Sequence, residues 1–379
     1  MAKIVSIGKF PPLQGGISSK AYWFANAMAK RGHSVHVVTE LTGVDEIHTI
    51  SGSDTIPRHS NVVIHRTDEV VPWHIPDDRH RSLCLLNKLL EVVESEKPDL
   101  IEANYLVPYG LVAYLAGQIT GIPYVLRHGG SDIRKFLAGG LWPALWRKGL
   151  GGASLIITDT DSQEIIRKWS DQVLPLTPYV PDCSFFSAVP KRVRTRPVLA
   201  LIGKANYHWQ HKGWHRVIDV WHQLRDSCDF LVVSQGVGLE DFKSYVHPRL
   251  GSRVTWRGFV PPWGMPELLD SVDGLFFYES DLPFPVFSNV AAETLFRGVT
   301  LFVDTDKVAD HYHALGLDLG QRALQIVALP GDYRKAAEIV LAHYPPTTPE
   351  PAACDLVAFE KYLLDNEAAM LDCIRPLHE

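Results

Sequence analysis

The sequence is poor in the features that mark several other protein classes. It has five cysteines in 379 residues, without a close pair, which argues against a disulfide framework or a zinc-binding pattern. No apolar run reaches the roughly 20 residues of a membrane-spanning helix. Lys and Arg total 37 against 43 Asp and Glu, so the basic surplus typical of nucleic-acid binding is missing. With a strand-like run at the start and no room for a signal peptide, the sequence predicts a soluble cytoplasmic enzyme.

Short apolar runs alternate with helical patterns along the whole chain. The continuous run Lys3–Gly8 is typical of a strand buried on both faces of a parallel sheet. A loop follows, and then a predicted helix over Lys20–Lys30, with Ser18 or Ser19 as its cap. Other predicted strands are Ser34–Thr39, Asn61–His65, Leu100–Glu102, Tyr124–Arg127, Leu155–Thr158, Val198–Ile202, Phe230–Ser234, Val254–Phe259, Gly274–Tyr278 and Thr300–Val303. This alternation predicts parallel, helix-covered sheets.

The pattern is interrupted once and then restarts. The stretch Ala188–Pro197 is basic, bracketed by prolines and poor in core residues, so it reads as a linker. The chain ends in an amphipathic helix predicted over Cys354–Cys373. We therefore expect two successive doubly wound α/β domains, with ligands beyond the carboxyl ends of the strands, in the cleft between the domains.

Two lysines occupy one predicted strand-to-helix loop. Gly203 and Lys204 directly follow a strand, and Lys212 and Gly213 directly precede a helix. Paired cations, helix amides and a glycine that allows close approach form the arrangement that a diphosphate requires. The loop lacks the ending of a Walker A sequence, and two solvated surface lysines remain the alternative reading.

A second anion site is predicted at the helix that begins near residue 288. Ser288 or Asn289 caps this helix, and the amides of its first turn are donors for phosphate. Glu293 lies one turn further on, where its carboxylate can accept hydrogen bonds from ribose hydroxyls. The alternative is an ordinary exposed glutamate beside a capping serine.

Five segments, in this order, resemble the GT-B glycosyltransferases of the large family-4 type. They are Phe10–Gly16, Arg31–Thr39, Gly121–Asp132, Gly203–Gly213 and Phe287–Gly298. The resemblance extends over nearly the whole chain and implies two Rossmann-like domains that face each other across a cleft.

The resemblance also implies the domain roles and the reaction. Residues 1–190 would form the acceptor domain, with the C-terminal helix at about 355–379 packing back on it, and residues 191–354 the nucleotide-sugar-binding domain. The enzyme would transfer a sugar, with retention at the anomeric carbon, from a nucleotide-diphosphate sugar to an acceptor hydroxyl or other nucleophile. Neither a metal nor another cofactor is implied. Glycan or envelope assembly and natural-product biosynthesis are both open.

On the nucleotide side, the resemblance gives roles to particular residues. Lys204 and Lys212 would neutralise the diphosphate and the charge that grows on the leaving group, with Gly203 in the same loop. The amides of Ser288 and Asn289 would contact phosphate, and Glu293 would hold the ribose.

On the acceptor side, the resemblance places the transferred sugar near the first domain. Gly15 and Gly16 would line the cleft there. His128 would contribute to catalysis, since a neutral imidazole can hydrogen-bond a sugar hydroxyl. Asp132 is a weaker candidate for contact with the acceptor.

One departure from the family pattern affects the donor sugar. Pro285 stands where the family usually has a glutamate that contacts this sugar, so either Glu279 or Asp281 replaces it or the donor is handled differently. A non-catalytic or atypical GT-B protein that binds a sugar nucleotide, or an epimerase, is therefore the alternative function. A nicotinamide-dependent oxidoreductase is disfavoured, because neither Gly8 nor Gly203 begins a Gly-x-Gly-x-x-Gly turn.

Two further patterns have simpler explanations than a special site. The pairs Asp159/Asp161 and Asp304/Asp306 follow strands, where aspartates commonly cap turns, and no metal site is predicted. The basic and aromatic stretch from Arg134 to Lys148 resembles a membrane-surface segment. Interior packing or acceptor contact is favoured over peripheral membrane contact, because glycines and Pro143 interrupt it.

Overall fold

The computed structural model of the chain describes residues 1–41, 49–50, 55–70, 79–138, 140, 142–186, 194–278, 287–344 and 354–374. The chain divides into two compact units. The first comprises Met1–Tyr179 with Glu360–Glu379, and the second comprises Val180–Phe359. Most of the predicted linker, residues 188–193, lies outside the described residues.

The first unit is built on a parallel sheet of seven strands in the order β3-β2-β1-β4-β5-β6-β7. The strands are β1 (Lys3–Gly8), β2 (Ser34–Leu41), β3 (Val62–Val70), β4 (Leu100–Asn104), β5 (Tyr124–Arg127), β6 (Leu155–Thr158) and β7 (Val173–Pro175). The bounds of β1, β5 and β6 coincide with the prediction. The short strand β7 was not predicted, since three half-buried residues give no periodic signal.

Five helices connect these strands: α1 (Gly16–Lys30), α2 (Arg79–Glu96), α3 (Leu111–Thr120), α4 (Pro143–Gly151) and α5 (Gln163–Arg167). The largest described apolar core of the unit gathers β-sheet residues such as Val5 and Ile101 with helix residues such as Leu89 and Ala113, all buried. Within the basic and aromatic stretch, Trp146 is buried in this core. Trp142, by contrast, is 41% exposed.

A buried charged cluster joins β2 to α2 and to the turn after β4. The Arg81 guanidinium donates from Nε to Glu40 Oε1 over 2.9 Å, and the Tyr109 hydroxyl donates to the same oxygen over 2.7 Å. All three side chains are almost completely buried. Burial, together with the Glu40 charge, raises the pKa of Tyr109 well above its usual value. A buried charge of this kind is tolerated because it is fully paired.

The second unit is built on a parallel sheet of six strands in the order β10-β9-β8-β11-β12-β13. The strands are β8 (Val198–Ile202), β9 (Asp229–Val233), β10 (Val254–Arg257), β11 (Gly274–Phe277), β12 (Thr300–Val303) and β13 (Ile326–Ala328). Its helices are α6 (Trp214–Leu224), α7 (Leu239–Leu250), α8 (Met265–Asp270), α9 (Asn289–Phe296), α10 (Val308–Ala314) and α11 (Tyr333–Ala342). Aromatic side chains dominate the core, where Trp221 stacks on Phe230 at a centroid distance of 4.7 Å.

The last helix, α12 (Cys354–Asp372), crosses the boundary between the units at residue 360. From there on it packs on the first unit through charged contacts. Glu367 pairs with Arg31 at 2.6 Å and accepts a hydrogen bond from His33 at 2.7 Å. The buried Arg127 donates to Asn366 Oδ1 over 2.6 Å. Within the described part of the chain, the helices are too short or too polar to span a bilayer.

Candidate active site

In the first unit, the candidate residues lie at the carboxyl edge of the sheet. The loop with Gly15 and Gly16 follows β1, His128 follows β5, and Asp159 follows β6. Strand order reverses between β1 and β4, because β2 lies on one side of β1 and β4 on the other. A reversal of this kind opens a crevice at the carboxyl ends of the strands, where ligands of doubly wound sheets bind.

The glycine loop leads directly into α1. The helix begins at Gly16, with Gly15 as its cap residue at φ 121°, a conformation that favours glycine. The predicted cap at Ser18 or Ser19 is therefore wrong, and Ser18 is buried inside the first turn. The cap residue, a glycine, has no side chain that could bond to the first-turn amides. Gly15 and Gly16 are both exposed.

The loop that carries His128 lies against the first turn of α1. A Cβ atom on Gly129 would stand 2.6 Å from Ile17 Cδ1 and 2.9 Å from the Tyr105 ring, which is closer than side chains approach each other. Only glycine allows this contact. The structure therefore brings the two first-unit motifs together, although 112 residues of sequence separate Gly16 from His128.

Both ring nitrogens of His128 have partners. The amide of Gly130 donates to Nδ1 over 3.1 Å, so Nε2 carries the proton and donates to Thr158 Oγ1 over 2.7 Å. Asp159 lies 3.7 Å from Nε2. Burial lowers the pKa of His128 below its ordinary value. The imidazole is therefore neutral near pH 7, and a sugar hydroxyl that binds Nε2 has to displace Thr158.

The carboxylate of Asp132 braces the same loop. Its Oδ1 accepts from the amides of Gly129 and Ile133 at 2.9 and 3.1 Å, and its Oδ2 accepts from the amide of Leu106 at 2.8 Å. The side chain is fully buried. These bonds to backbone amides favour a positioning role, while contact with the acceptor stays a prediction.

Sequence analysis overlooked Lys20, which the structure places near His128. Lys20 lies one turn after Gly16 on α1, where the charges of Arg127, Glu102, Asp159 and Asp132 act on it. Burial, reinforced by the Arg127 charge, lowers the pKa of Lys20 to about 7. The one indication in the sequence is that Lys20 lies four residues after Gly16, because residues four apart share a helix face.

In the second unit, the two predicted lysines are adjacent. The Lys212 ammonium donates to the backbone carbonyl of Lys204 over 2.8 Å and lies 5.2 Å from the centre of the Trp214 ring. Burial lowers the pKa of both lysines, and together with the Lys204 charge it brings that of Lys212 to about 8. Two partly desolvated cations, one of whose charges acts on the other, are unfavourable by themselves. They fit a site for an anion.

Glycines on both sides of Lys212 allow the loop to fold this tightly. A Cβ on Gly203 would lie 3.0 Å from the Trp214 ring and 3.9 Å from the Lys212 ammonium. Gly213 has φ 67°, and a Cβ there would lie 2.9 Å from Tyr278 Cβ. Tyr278 directly follows β11, so the lysine loop reaches the carboxyl end of the neighbouring strand.

The helix α9 follows β11, and its predicted cap is confirmed. The Ser288 hydroxyl accepts from the amide of Ala291 at 3.3 Å, and Asn289 is the first residue of the helix. Glu293 is 2% exposed, unlike the solvated glutamate of the alternative reading. Because β8 and β11 are neighbours at the point where the strand order reverses, the lysine loop and α9 leave the same edge of the sheet.

A further cluster lies at this edge of the second sheet, and one aspartate that the sequence predicts to cap a turn lies in the first unit. Arg216 pairs with Asp304 at 2.5 Å and lies 5.3 Å from the Tyr278 ring, a cluster that no spacing in the sequence indicated. Asp159, in the first unit, accepts from the amide of Ser162 at 2.7 Å, as a turn cap does. The predicted donor-sugar contacts Glu279 and Asp281, like Pro285, lie outside the described residues.

Comparison with known families is consistent with this geometry. Residues 15–165 match the profile of the glycosyl transferase 4-like domain. The match covers less than half of the chain. The matched segment includes Gly15, Gly16, His128 and Asp132, the first-unit candidates. Comparison with curated proteins finds no significant match.

Solved structures resemble this chain over nearly its full length. For sucrose-phosphate synthase from Thermosynechococcus elongatus, the TM-score is 0.62 at 16% identity, covering 100% of this chain and 98% of that one. For Anabaena Alr3699/HepE in complex with UDP and glucose, the TM-score is 0.64 at 17% identity, and the match covers 98% of this chain and 100% of that one. For UDP-GlcNAc 2-epimerase from Neisseria meningitidis bound to UDP-GlcNAc, the TM-score is 0.56 at 14% identity, and the match covers 96% of this chain and 100% of that one. These likenesses show that the chain has the GT-B fold.

Proposed function

We propose that the protein is a retaining glycosyltransferase that transfers a sugar from a nucleoside-diphosphate sugar to an acceptor hydroxyl or other nucleophile, without a metal or another cofactor in the reaction. The observation that carries this proposal is the pair of lysines after β8. The Lys212 ammonium is held beside Lys204 at the switch point of the second sheet, next to the strand that leads to α9.

The two cations supply the electrostatic part of the reaction. When the bond from the sugar to the diphosphate breaks, negative charge grows on the leaving diphosphate, and the ammonium groups stabilise it in the transition state. Lys212 is already positioned by the Lys204 carbonyl, so little reorganisation is needed. Because burial has removed part of the water around both ammonium groups, their attraction to a diphosphate is stronger than at an exposed surface.

The start of α9 holds the nucleotide in this proposal. The first-turn amides at Ser288 and Asn289 donate to phosphate, and the N-terminal end of the helix dipole favours its charge. Glu293 accepts hydrogen bonds from the ribose hydroxyls. Its burial supports a bound and oriented carboxylate rather than a solvated one.

The first unit serves the transferred sugar and the acceptor. Gly15 and Gly16 are exposed and have no side chains, so a sugar ring can approach the backbone closely at this point. His128 donates its Nε2 proton to a sugar hydroxyl in exchange for Thr158. Asp132 keeps the loop in place through its three bonds to backbone amides.

Calorimetric titration with a panel of UDP- and GDP-sugars tests this function. We expect one nucleotide class to bind, and Lys212→Met to weaken its binding at least tenfold, in line with the loss of a charge-assisted contact. Lys243→Met is the matched control, because Lys243 is an exposed lysine of the same unit that pairs with Glu240 at 2.8 Å. The proposal is wrong if no nucleoside diphosphate or nucleotide sugar binds. Retention is tested by NMR of the anomeric proton of the product.

Epimerisation is the second candidate function, favoured by the likeness to UDP-GlcNAc 2-epimerase over 96% of this chain. Incubation with UDP-GlcNAc in the absence of an acceptor distinguishes the two reactions. An epimerase converts the sugar to its 2-epimer, whereas a transferase leaves the configuration at C2 unchanged. A protein that binds the nucleotide sugar but neither transfers nor epimerises it would be the non-catalytic alternative, for which Pro285 is the sequence indication.

A further inference from the structure

A mixed group of potential metal ligands lies away from the lysine loop, in the first unit. His80 and Cys84 stand four residues apart in α2, so both face the same side of the helix. Glu69, near the end of β3, faces them from the outermost strand of the sheet. One ligand atom from each of the three side chains lies within 4.8 Å of the others.

The distances resemble the edges of a tetrahedral zinc site. His80 Nε2 lies 2.9 Å from Glu69 Oε2 and 3.7 Å from Cys84 Sγ. With zinc bonds of about 2.0–2.2 Å to nitrogen and oxygen and about 2.3 Å to sulfur, tetrahedral geometry places such atoms about 3.4 and about 3.6 Å apart. The two measured distances are thus within about half an ångström of the tetrahedral values.

The chemistry of the ligands selects the kind of metal. A thiolate with an imidazole suits zinc and other borderline or soft ions, whereas magnesium and calcium prefer oxygen ligands. Of the two arginines that flank His80, Arg81 is turned into the core and paired with Glu40, whereas Arg79 is exposed at the start of α2.

We propose that Glu69, His80 and Cys84 form a zinc site that joins the end of β3 to the start of α2, with water as the fourth ligand. The ion takes the Cys84 thiolate, the neutral His80 imidazole and the Glu69 carboxylate, and the thiol proton goes to solvent. This site is independent of the sugar-transfer function, because none of its residues belongs to the loops that carry the donor and sugar roles. No motif in the sequence indicated this site, because its ligands come from two separate elements and Cys84 has no other cysteine close to it in the chain.

Cobalt substitution tests the site directly. The full-length protein, with any affinity tag removed, is freed of metal with a chelator and titrated with Co²⁺. We expect a 1:1 complex with a thiolate-to-cobalt charge-transfer absorption and the visible bands of tetrahedral cobalt, and we expect Zn²⁺ to displace it. The absence of a charge-transfer band would refute the site.

Variants assign the band to these residues. Cys84→Ser should abolish the charge-transfer absorption, and His80→Ala should lower the affinity for Zn²⁺ at least tenfold in competition with a chromophoric chelator. Cys183→Ser is the matched control, because Cys183 is a partly buried cysteine of the second unit, and its band should equal that of the wild type. Persistence of the band in Cys84→Ser would overturn the proposal. The side chains of His80 and Glu69 are 56% and 65% exposed. Substitutions at such exposed positions leave the fold intact, so a loss of metal binding in these variants reports the loss of a ligand.

Discussion

Replacement of Lys212 by methionine should make the protein more stable and less active at the same time. Burial lowers the pKa of Lys212 from 10.5 to about 8. At about 1.4 kcal/mol per pKa unit, holding the ammonium charged in the unliganded protein at pH 7 costs about 3 kcal/mol. The variant also loses the bond to the Lys204 carbonyl, worth about 1 kcal/mol. The net gain expected for Lys212→Met is therefore about 1–2 kcal/mol.

The gain should appear in the thermal unfolding of the second unit. For a unit that spans residues 180–359, about 2–4 °C of Tm per kcal/mol predicts a rise of about 2–8 °C at pH 7. Lys212→Arg, which keeps a positive charge, is the control and should give no rise. Turnover should fall by several powers of ten, because the charge that stabilises the leaving diphosphate is gone.

The pH dependence of the gain checks its cause. The pKa of Lys212 is lower in the folded protein than in the unfolded chain, so between pH 8 and 10.5 the unfolded chain holds more protons. The wild type is therefore stabilised by this group as pH rises through that window, and the advantage of Lys212→Met should shrink toward zero. A gain that does not change with pH, or a lower Tm at pH 7, would refute the electrostatic reasoning.

Two further substitutions test the packing of the first unit. Asn366→Ala removes a buried partner of the arginine that ends β5 and should lower the free energy of unfolding by about 1–3 kcal/mol. The control is Lys361→Ala, on the exposed side of the same helix α12, which should change the free energy of unfolding in urea titrations by less than about 0.5 kcal/mol. Equal effects of the two substitutions would argue against α12 as an anchor. Gly129→Ala inserts a Cβ 2.6 Å from Ile17 and should lower the free energy of unfolding by about 1–3 kcal/mol. Adding Ile17→Ala should restore part of that loss. Gly331→Ala, where a Cβ meets open space, should cost far less, and a similar loss in both glycine variants would contradict the steric argument.

The α/β architecture was predictable because it follows from local patterns. Continuous apolar runs such as Val198–Ile202 are buried on both faces of a parallel sheet, and their bounds coincide with the strands of the structure. The cap at Ser288 was predictable for the same reason, since a hydroxyl at that point satisfies a first-turn amide. At α1 the same rule failed, because Gly15 can adopt φ 121° and the helix begins before the serines.

The sequence by itself determined which chemical groups the protein carries, and in which loops. Alternation of strands and helices placed Lys204, Lys212 and His128 at the carboxyl ends of strands, because that is where the connections of a parallel sheet begin. Only the tertiary structure decided which groups are neighbours and how they are charged. The bond from Lys212 to the Lys204 carbonyl, the place of Lys20 near His128, and the meeting of Glu69 with His80 and Cys84 all depend on packing between separate elements. Desolvation and charge pairing act through space, so they leave no periodic signal along the chain.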